Sequence, residues 1–170
     1  MRTDFKIEGL DELVKVLAEL PNAVRNRVTI SALLSGGGVL RTEMRRLVPK
    51  QTGDLAKSIK TTRYTTRKEG ERAVAVGVRG KESSLAHLVE FGTSPHPIAA
   101  KPGRKLRYVK DGEVRIATKV QHPGARAKPF IRPATDTKGV QAFEKVRDVM
   151  YAGIVREAEK LAQKTGSRRR

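Results

Sequence analysis

Cysteine and tryptophan are missing from this 170-residue chain, and all aromatic residues together make up only 4% of it. Without cysteine there are no disulfides and no thiolate metal sites; a reducing compartment is compatible with that. So few aromatics argue against a platform on which successive bases of a single strand would stack, since only Tyr64 and Tyr108 fall on expected strands. No apolar run approaches the ~20 residues that cross a membrane. Met1-Arg2-Thr3-Asp4-Phe5 lacks the apolar core of a secretory signal. Neither a G-x-S-x-G elbow nor a phosphate loop with its glycine-lysine-serine/threonine spacing is present. Acidic residues are scarce as well, 18 against 36 basic ones, which leaves a net charge of +18. An excess of that size favours contact with polyanions or with an acidic protein surface.

The apolar content of 38% suits a single domain of modest core, expected over 1–164, with 165–170 as a mobile basic tail ending in Arg168-Arg169-Arg170. Leu10, Leu13, Val14, Leu17 and Leu20 share one face of a predicted helix over 8–20, which Pro21 interrupts. A second helical stretch runs from about Asn22 to Val48. Gly36-Gly37-Gly38 lies inside it, each glycine costing ~1 kcal/mol against alanine. That cost predicts a kink or a loop between two shorter helices; close backbone approach is the rival reading. Lys50-Gln51-Thr52-Gly53-Asp54-Leu55 reads as a turn. From Leu55 to Thr66 the pattern is strand-like. After a turn at Glu69-Gly70 comes a second strand, whose Val74, Val76 and Val78 form a buried face.

The centre of the organisation is Ala86-His87-Leu88-Val89-Glu90-Phe91-Gly92-Thr93, one amphipathic helical turn closed by glycine. Its distant companion is His122-Pro123-Gly124 with Lys128-Pro129-Phe130-Ile131-Arg132-Pro133-Ala134. Two prolines predict that this companion is extended. Phe91 and Phe130 are expected to anchor the core. Between them, Asp111-Gly112 signals a tight hairpin pairing Val109 with Val114 and Arg107 with Ile116 on one face. Leu106 with Ala117 and Tyr108 with Arg115 occupy the other face. Thr135 or Asp136 is placed as the cap of a final helix to about Lys164, with Val140, Phe143, Met150 and Ile154 on its apolar stripe.

Little points to catalysis. His87, His96 and His122 do not have the i, i+4 spacing of a helical zinc pair, and two of them sit beside prolines. No carboxylate cluster supports a metal-dependent nuclease. The expectation is a protein without enzymatic activity, cofactor or metal. Arg63, Arg67, Arg104, Lys105, Arg107 and Arg115 are candidate contacts to DNA phosphates, independent of sequence, or to an acidic partner.

Three ordered motifs carry a resemblance: Thr52-Gly53-x-Leu55-x-x-Ser58-Ile59, then Ala86 to Thr93, then His122-Pro123-Gly124 with Pro129 to Ala134. In order and spacing the chain resembles the minor head–tail joining (neck or tail-completion) proteins of long-tailed bacteriophages. The stretch 104–119 is similar to an insertion found in only some members. The resemblance implies an α+β fold with a small, mostly antiparallel sheet packed by N- and C-terminal helices, from which the basic hairpin projects. It implies a virion structural protein of the neck, made in the host cytoplasm. Such a protein forms a homo-oligomeric ring, six-fold or twelve-fold, that joins the head connector to the tail and lets DNA pass. Its implied partners are head-completion and tail-terminator or tail-tube proteins, with no membrane. Glu90, Phe91, Gly92, Phe130 and Arg132 are the candidate interface residues, with Glu90 expected to pair with a basic side chain from Arg132 or a neighbouring subunit. The alternative is a monomeric, non-specific nucleic-acid-binding module.

Overall fold

The computed structural model describes Lys15, Ala18, residues 20–64 and residues 72–167. Lys15 and Ala18 are helical, while nearly all of the predicted helix over 8–20 and the Glu69-Gly70 turn lie outside the described residues. The elements are α1 (Asn22–Leu47), α2 (Asp54–Ser58), β1 (Ile59–Tyr64), β2 (Ala73–Val78), α3 (Ser83–Phe91), β3 (His96–Ala99), β4 (Leu106–Lys110), β5 (Glu113–Ala117), β6 (Lys119–His122) and α4 (Ile131–Ser167). A 3-10 turn at Gly80–Glu82 leads into α3. The fold is α+β. Its strands form three antiparallel pairs, β1–β2, β3–β6 and β4–β5.

Helices α1 and α4 run antiparallel and make the spine. Val28 and Ala32 of α1 are buried with Met150 and Ile154 of α4, and Arg27 bonds Glu157 at 2.7 Å beside them. At the other end, Met44, Val48, Leu55, Ile59, Ala86, Phe130 and Ala134 bring α1, α2, β1, α3 and the start of α4 into one core. Burying large side chains such as Phe130 and Ile59 is worth about 1.5–3 kcal/mol each.

Helix α1 is continuous through Gly36–Gly38, which corrects the expected kink. The glycines are there for close approach on two sides. A methyl group on Gly36 would lie 2.6 Å from the Ala142 carbonyl oxygen, against α4, and collide with Val146. One on Gly37 would lie 2.7 Å from Thr61 Cγ2, against the β1–β2 pair. Gly38 faces open space. Gly36→Ala is therefore expected to destabilise the fold by about 1–2 kcal/mol, overpacking outweighing the ~1 kcal/mol gained in helix propensity. Gly38→Ala should stabilise it by about 0.5–1 kcal/mol. Opposite shifts in thermal melts are the check, and a Gly36→Ala chain that melts at or above the parent would refute the close contact.

Three further boundaries move. The strand-like pattern begins at Ile59 and not at Leu55, because Asp54–Ser58 closes one helical turn behind Gly53, whose φ is 81°. The last helix begins at Ile131, so Pro133 stands inside its first turn, where no N–H is required. It continues to Ser167, past the expected boundary at 164. Finally, Val140 and Phe143 do not face the core; they are 57% and 41% exposed, and Ala142, Val146 and Val149 take the inward positions.

Candidate interface site at the root of a projecting ribbon

Residues 93–125 form one antiparallel ribbon. It starts at the Thr93–Ala125 bridge, continues through His96–His122 to Ala99–Lys119, and is prolonged by the Ala100 N–H donating to the Thr118 carbonyl at 2.8 Å. Lys101–Lys105 are then extra on one strand only. Pairing resumes at Leu106–Ala117 and ends at Lys110–Glu113, in the register expected from the sequence. Asp111 and Gly112 supply the two positive φ angles, 54° and 80°, that a tight primed turn requires.

The ribbon springs from the joint between α3 and α4, and Glu90 makes that joint. Its residue is only 6% exposed. Oε2 accepts the backbone N–H groups of Phe130 at 2.8 Å and Ile131 at 2.9 Å, and Oε1 accepts that of Arg132 at 3.0 Å. The N-terminal N–H groups of a helix have no partner within the helix. Glu90 takes those offered before Pro133, and proline has none to offer, so a carboxylate forty residues away caps α4. Its charge also lies at the positive end of the helix dipole. Burial pushes the Glu90 carboxyl up, but the N–H bonds of Ile131, Phe130 and Arg132, with the Arg132 charge, outweigh it and hold the group below the ordinary carboxylate range.

Within one chain, Glu90 is held by backbone N–H groups and not by the Arg132 side chain, one of its two expected partners. Arg132 reaches the carboxylate through its backbone, while its guanidinium lies 5.5 Å from the centre of the Phe91 ring, a cation–π arrangement. Phe91 corrects the sequence reading too. Phe130 is wholly buried, but Phe91 is 65% exposed, because α3 turns Ala86 and Glu90 inward and leaves Leu85, Leu88 and Phe91 outside. A shallow groove of about 770 Å³ runs beside this patch, floored by Val78, Ala86, Glu90 and Ile131 and edged by Asp136.

Gly92 ends α3 at φ 75°, and its N–H donates to the Leu88 carbonyl at 2.8 Å. Beyond it the ribbon's root is stitched by Thr93 and Ala125, which exchange N–H···O bonds of 2.9 and 3.1 Å. The Ala125 N–H also reaches Thr93 Oγ1 at 2.9 Å, and the Lys128 N–H donates to the Val89 carbonyl at 2.8 Å. Gly92, Thr93 and Gly124 are thus as much part of the joint as Glu90. Thr93 and Gly124 carried only the weak signal of standing within the two motif stretches.

The basic candidates divide. Arg104 and Lys105 lie in the insertion, Arg107 and Arg115 on opposite faces of β4–β5, and Arg63 at the far end of β1 on the body. Arg67 lies outside the described residues. Arg115 is occupied locally, 3.6 Å from Glu113 and 4.0 Å from Asp111. Of the histidines, His96 and His122 face each other across β3–β6 with ring centres 5.1 Å apart, and His87 stands exposed on α3. The Gly124 N–H donates to His122 Nδ1 at 3.0 Å, and His96 Nδ1 lies 2.9 Å from the Ser94 carbonyl oxygen. Among the described residues no three His, Cys, Asp or Glu side chains gather as metal ligands. No described helix is long and apolar enough to cross a membrane.

Residues 11–92 match the model of the HK97-gp10-like family, described as "Bacteriophage HK97-gp10, putative tail-component". The match supports the head–tail joining family to which the sequence motifs pointed, and a tail component fits a structural role in the virion. It stops at the glycine where the ribbon leaves the body. Neither the curated proteins nor the solved structures contain a match.

Proposed function

We propose that this member of a phage head–tail joining family is a structural protein of the virion neck. In this reading copies join head to tail in a ring, six-fold or twelve-fold, between the head connector and the tail, and packaged DNA passes through the opening. The observation that carries the proposal is the distribution of exposed apolar side chains. Phe91 and Tyr151 on the body, and Val109, Val114 and Ile116 on the ribbon, are each more than half exposed. Val109, Val114 and Ile116 lie together on one face of the ribbon, and a contiguous exposed apolar patch of that kind marks contact with another protein. The family match supports the same reading from an independent direction.

The residues then have separate roles. Glu90, Gly92 and Phe130 hold the ribbon at a fixed angle to the α1–α4 spine. Phe91 and Arg132 offer a contact surface beside it. Arg63, Arg104, Lys105 and Arg107 supply positive charge for DNA phosphates or for acidic neighbours such as the head-completion and tail-terminator proteins. No bond-making chemistry is assigned to any of them.

The test is the mass of the purified chain in solution, with negative-stain micrographs of the same sample. A closed oligomer, several times the 18.8 kDa of one chain, with a central opening is the expected result. A chain that stays monomeric at every concentration, and binds duplex DNA with an affinity falling steeply in salt, would establish the nucleic-acid-binding module instead.

A further inference from the structure

The ribbon tip and the outer side of α4 are two exposed faces of the same chain with opposite character. On β4–β5, Val109, Val114 and Ile116 share one face with Arg107 and are 69%, 52% and 64% exposed. The stretch around them, from Lys101 to Lys119, has seven basic residues and two acidic ones. On α4, Val140, Tyr151 and Val155 lie along one side at helical spacing, 57%, 61% and 39% exposed. Asp136, Glu144 and Asp148 border that side, and Arg147 is its one basic interruption, bonded to Asp148 at 3.0 Å.

We infer that the β4–β5 face of one copy seats on the outer face of α4 in the next copy. The inference rests on the ring reading above and names the two surfaces that would close it. Three observations commit the occupant to a second copy of this chain. The charges are complementary: basic residues frame the apolar patch on the ribbon, while Asp136 and Glu144 border the patch on the helix, Asp148 being bonded to Arg147. The lengths agree, since a five-residue strand spans ~17 Å and Val140 to Tyr151 covers ~16 Å of helix axis. A two-stranded hairpin is also marginal in water unless a surface supports it. Pairing ribbon to ribbon is disfavoured by the positive charge that both copies would carry there. The contact is therefore heterologous, the kind that closes a ring when the rotation allows.

The absence of cysteine allows a direct test in the full chain. Val109→Cys and Tyr151→Cys proteins, mixed and treated with a short bis-maleimide, should yield a covalent dimer that neither protein gives alone. Ile116→Lys and Tyr151→Lys should each raise the concentration needed for assembly at least tenfold while melting with the parent, because both positions are exposed. Mixed together, the two defective proteins should stop at dimers, since each pair keeps one good contact and cannot extend. Should either variant lose its fold, Val114→Lys or Val155→Lys tests the same face. Parent rings with no cross-link, or variants that assemble like the parent, would overturn the inference and leave the ring standing. A parent chain that is monomeric throughout would overturn both.

Discussion

Replacing Glu90 with alanine is expected to destabilise the folded chain by about 3 kcal/mol, as the sum of a lost helix cap and stranded donors. Three N–H groups, those of Phe130, Ile131 and Arg132, lose their acceptor at once. Phe130 is wholly buried, so water cannot replace the carboxylate there without opening the core. For a chain of this length such a loss corresponds to a fall of roughly 6–12 °C in melting temperature. Glu90→Gln should lose about half as much, because an amide retains one acceptor oxygen but turns an NH₂ group toward a donor. In a ring the damage extends further, since a frayed start of α4 frees the ribbon from its fixed direction. Glu90→Ala should therefore weaken assembly more than its melting temperature alone implies. Melting and assembly both unchanged would refute the capping role.

The same carboxylate has a pH signature. Its folded-state pKa is lowered relative to the ordinary value near 4.5, so folding favours the ionised form. Its contribution is complete above about pH 4.5 and disappears as the pH falls through the folded-state value. The gap between parent and Glu90→Ala should thus be constant from neutral pH to about pH 5 and shrink in stronger acid. Glu43, held low chiefly by its bond to Arg46, and Glu157, held low first by Lys160 and also by Arg27, act with the same sign. Both are present in parent and variant, so they cancel in the difference.

How much of this could be read from residues alone follows from the range of the forces involved. Local signals were legible: Gly92 as a helix end, Asp111-Gly112 as a tight turn, and the register that pairs Val109 with Val114. Each depends on backbone angles within a few residues. What failed depends on distant partners. Pro133 looked like a helix breaker, and only a cap arriving from Glu90 reveals it as a first-turn proline. The Gly36–Gly38 run looked like a break because its cost in propensity is local, while its reason, α4 on one side and β1–β2 on the other, is not. Phe91 was assigned to the core on size. The face of α3 that points inward is fixed by Ala86 and Glu90, and burying a glutamate ahead of a phenylalanine makes sense only once the three N–H groups are in place. On α4 two apolar stripes compete. The inner one, with Ala142, Val146, Met150, Gly153 and Ile154, packs against α1 through close approaches at Gly36 and Gly153, and Val140, Tyr151 and Val155 are left outside.

The second large effect is expected at Gly92. Its φ of 75° with ψ of −174° falls in a region that residues with a side chain hardly enter, which by itself costs of order 1–3 kcal/mol. An added methyl group would also lie 2.5 Å from the Ala125 carbonyl oxygen and 2.8 Å from the Ala127 nitrogen. Both obstacles are backbone, held by the Thr93–Ala125 exchange and by the Lys128 N–H bond to Val89, so neither can yield as a side chain would. Gly92→Ala is therefore expected to cost about 3–4 kcal/mol, strain and overpacking together. Gly103→Ala is the matched control. Its φ is also 75°, but it lies in the open Lys101–Lys105 insertion with nothing near the new methyl, so only the ~1 kcal/mol of left-handed strain applies. Amide hydrogen exchange locates the damage: Thr93, Ala125 and Lys128 should lose protection in Gly92→Ala and keep it in Gly103→Ala. The two glycine positions differ in what surrounds them and not in their φ. Equal melting temperatures for the two variants would mean that the ribbon is not packed against the α3–α4 joint at its root, and the fixed projection that the proposed assembly requires would fail with it.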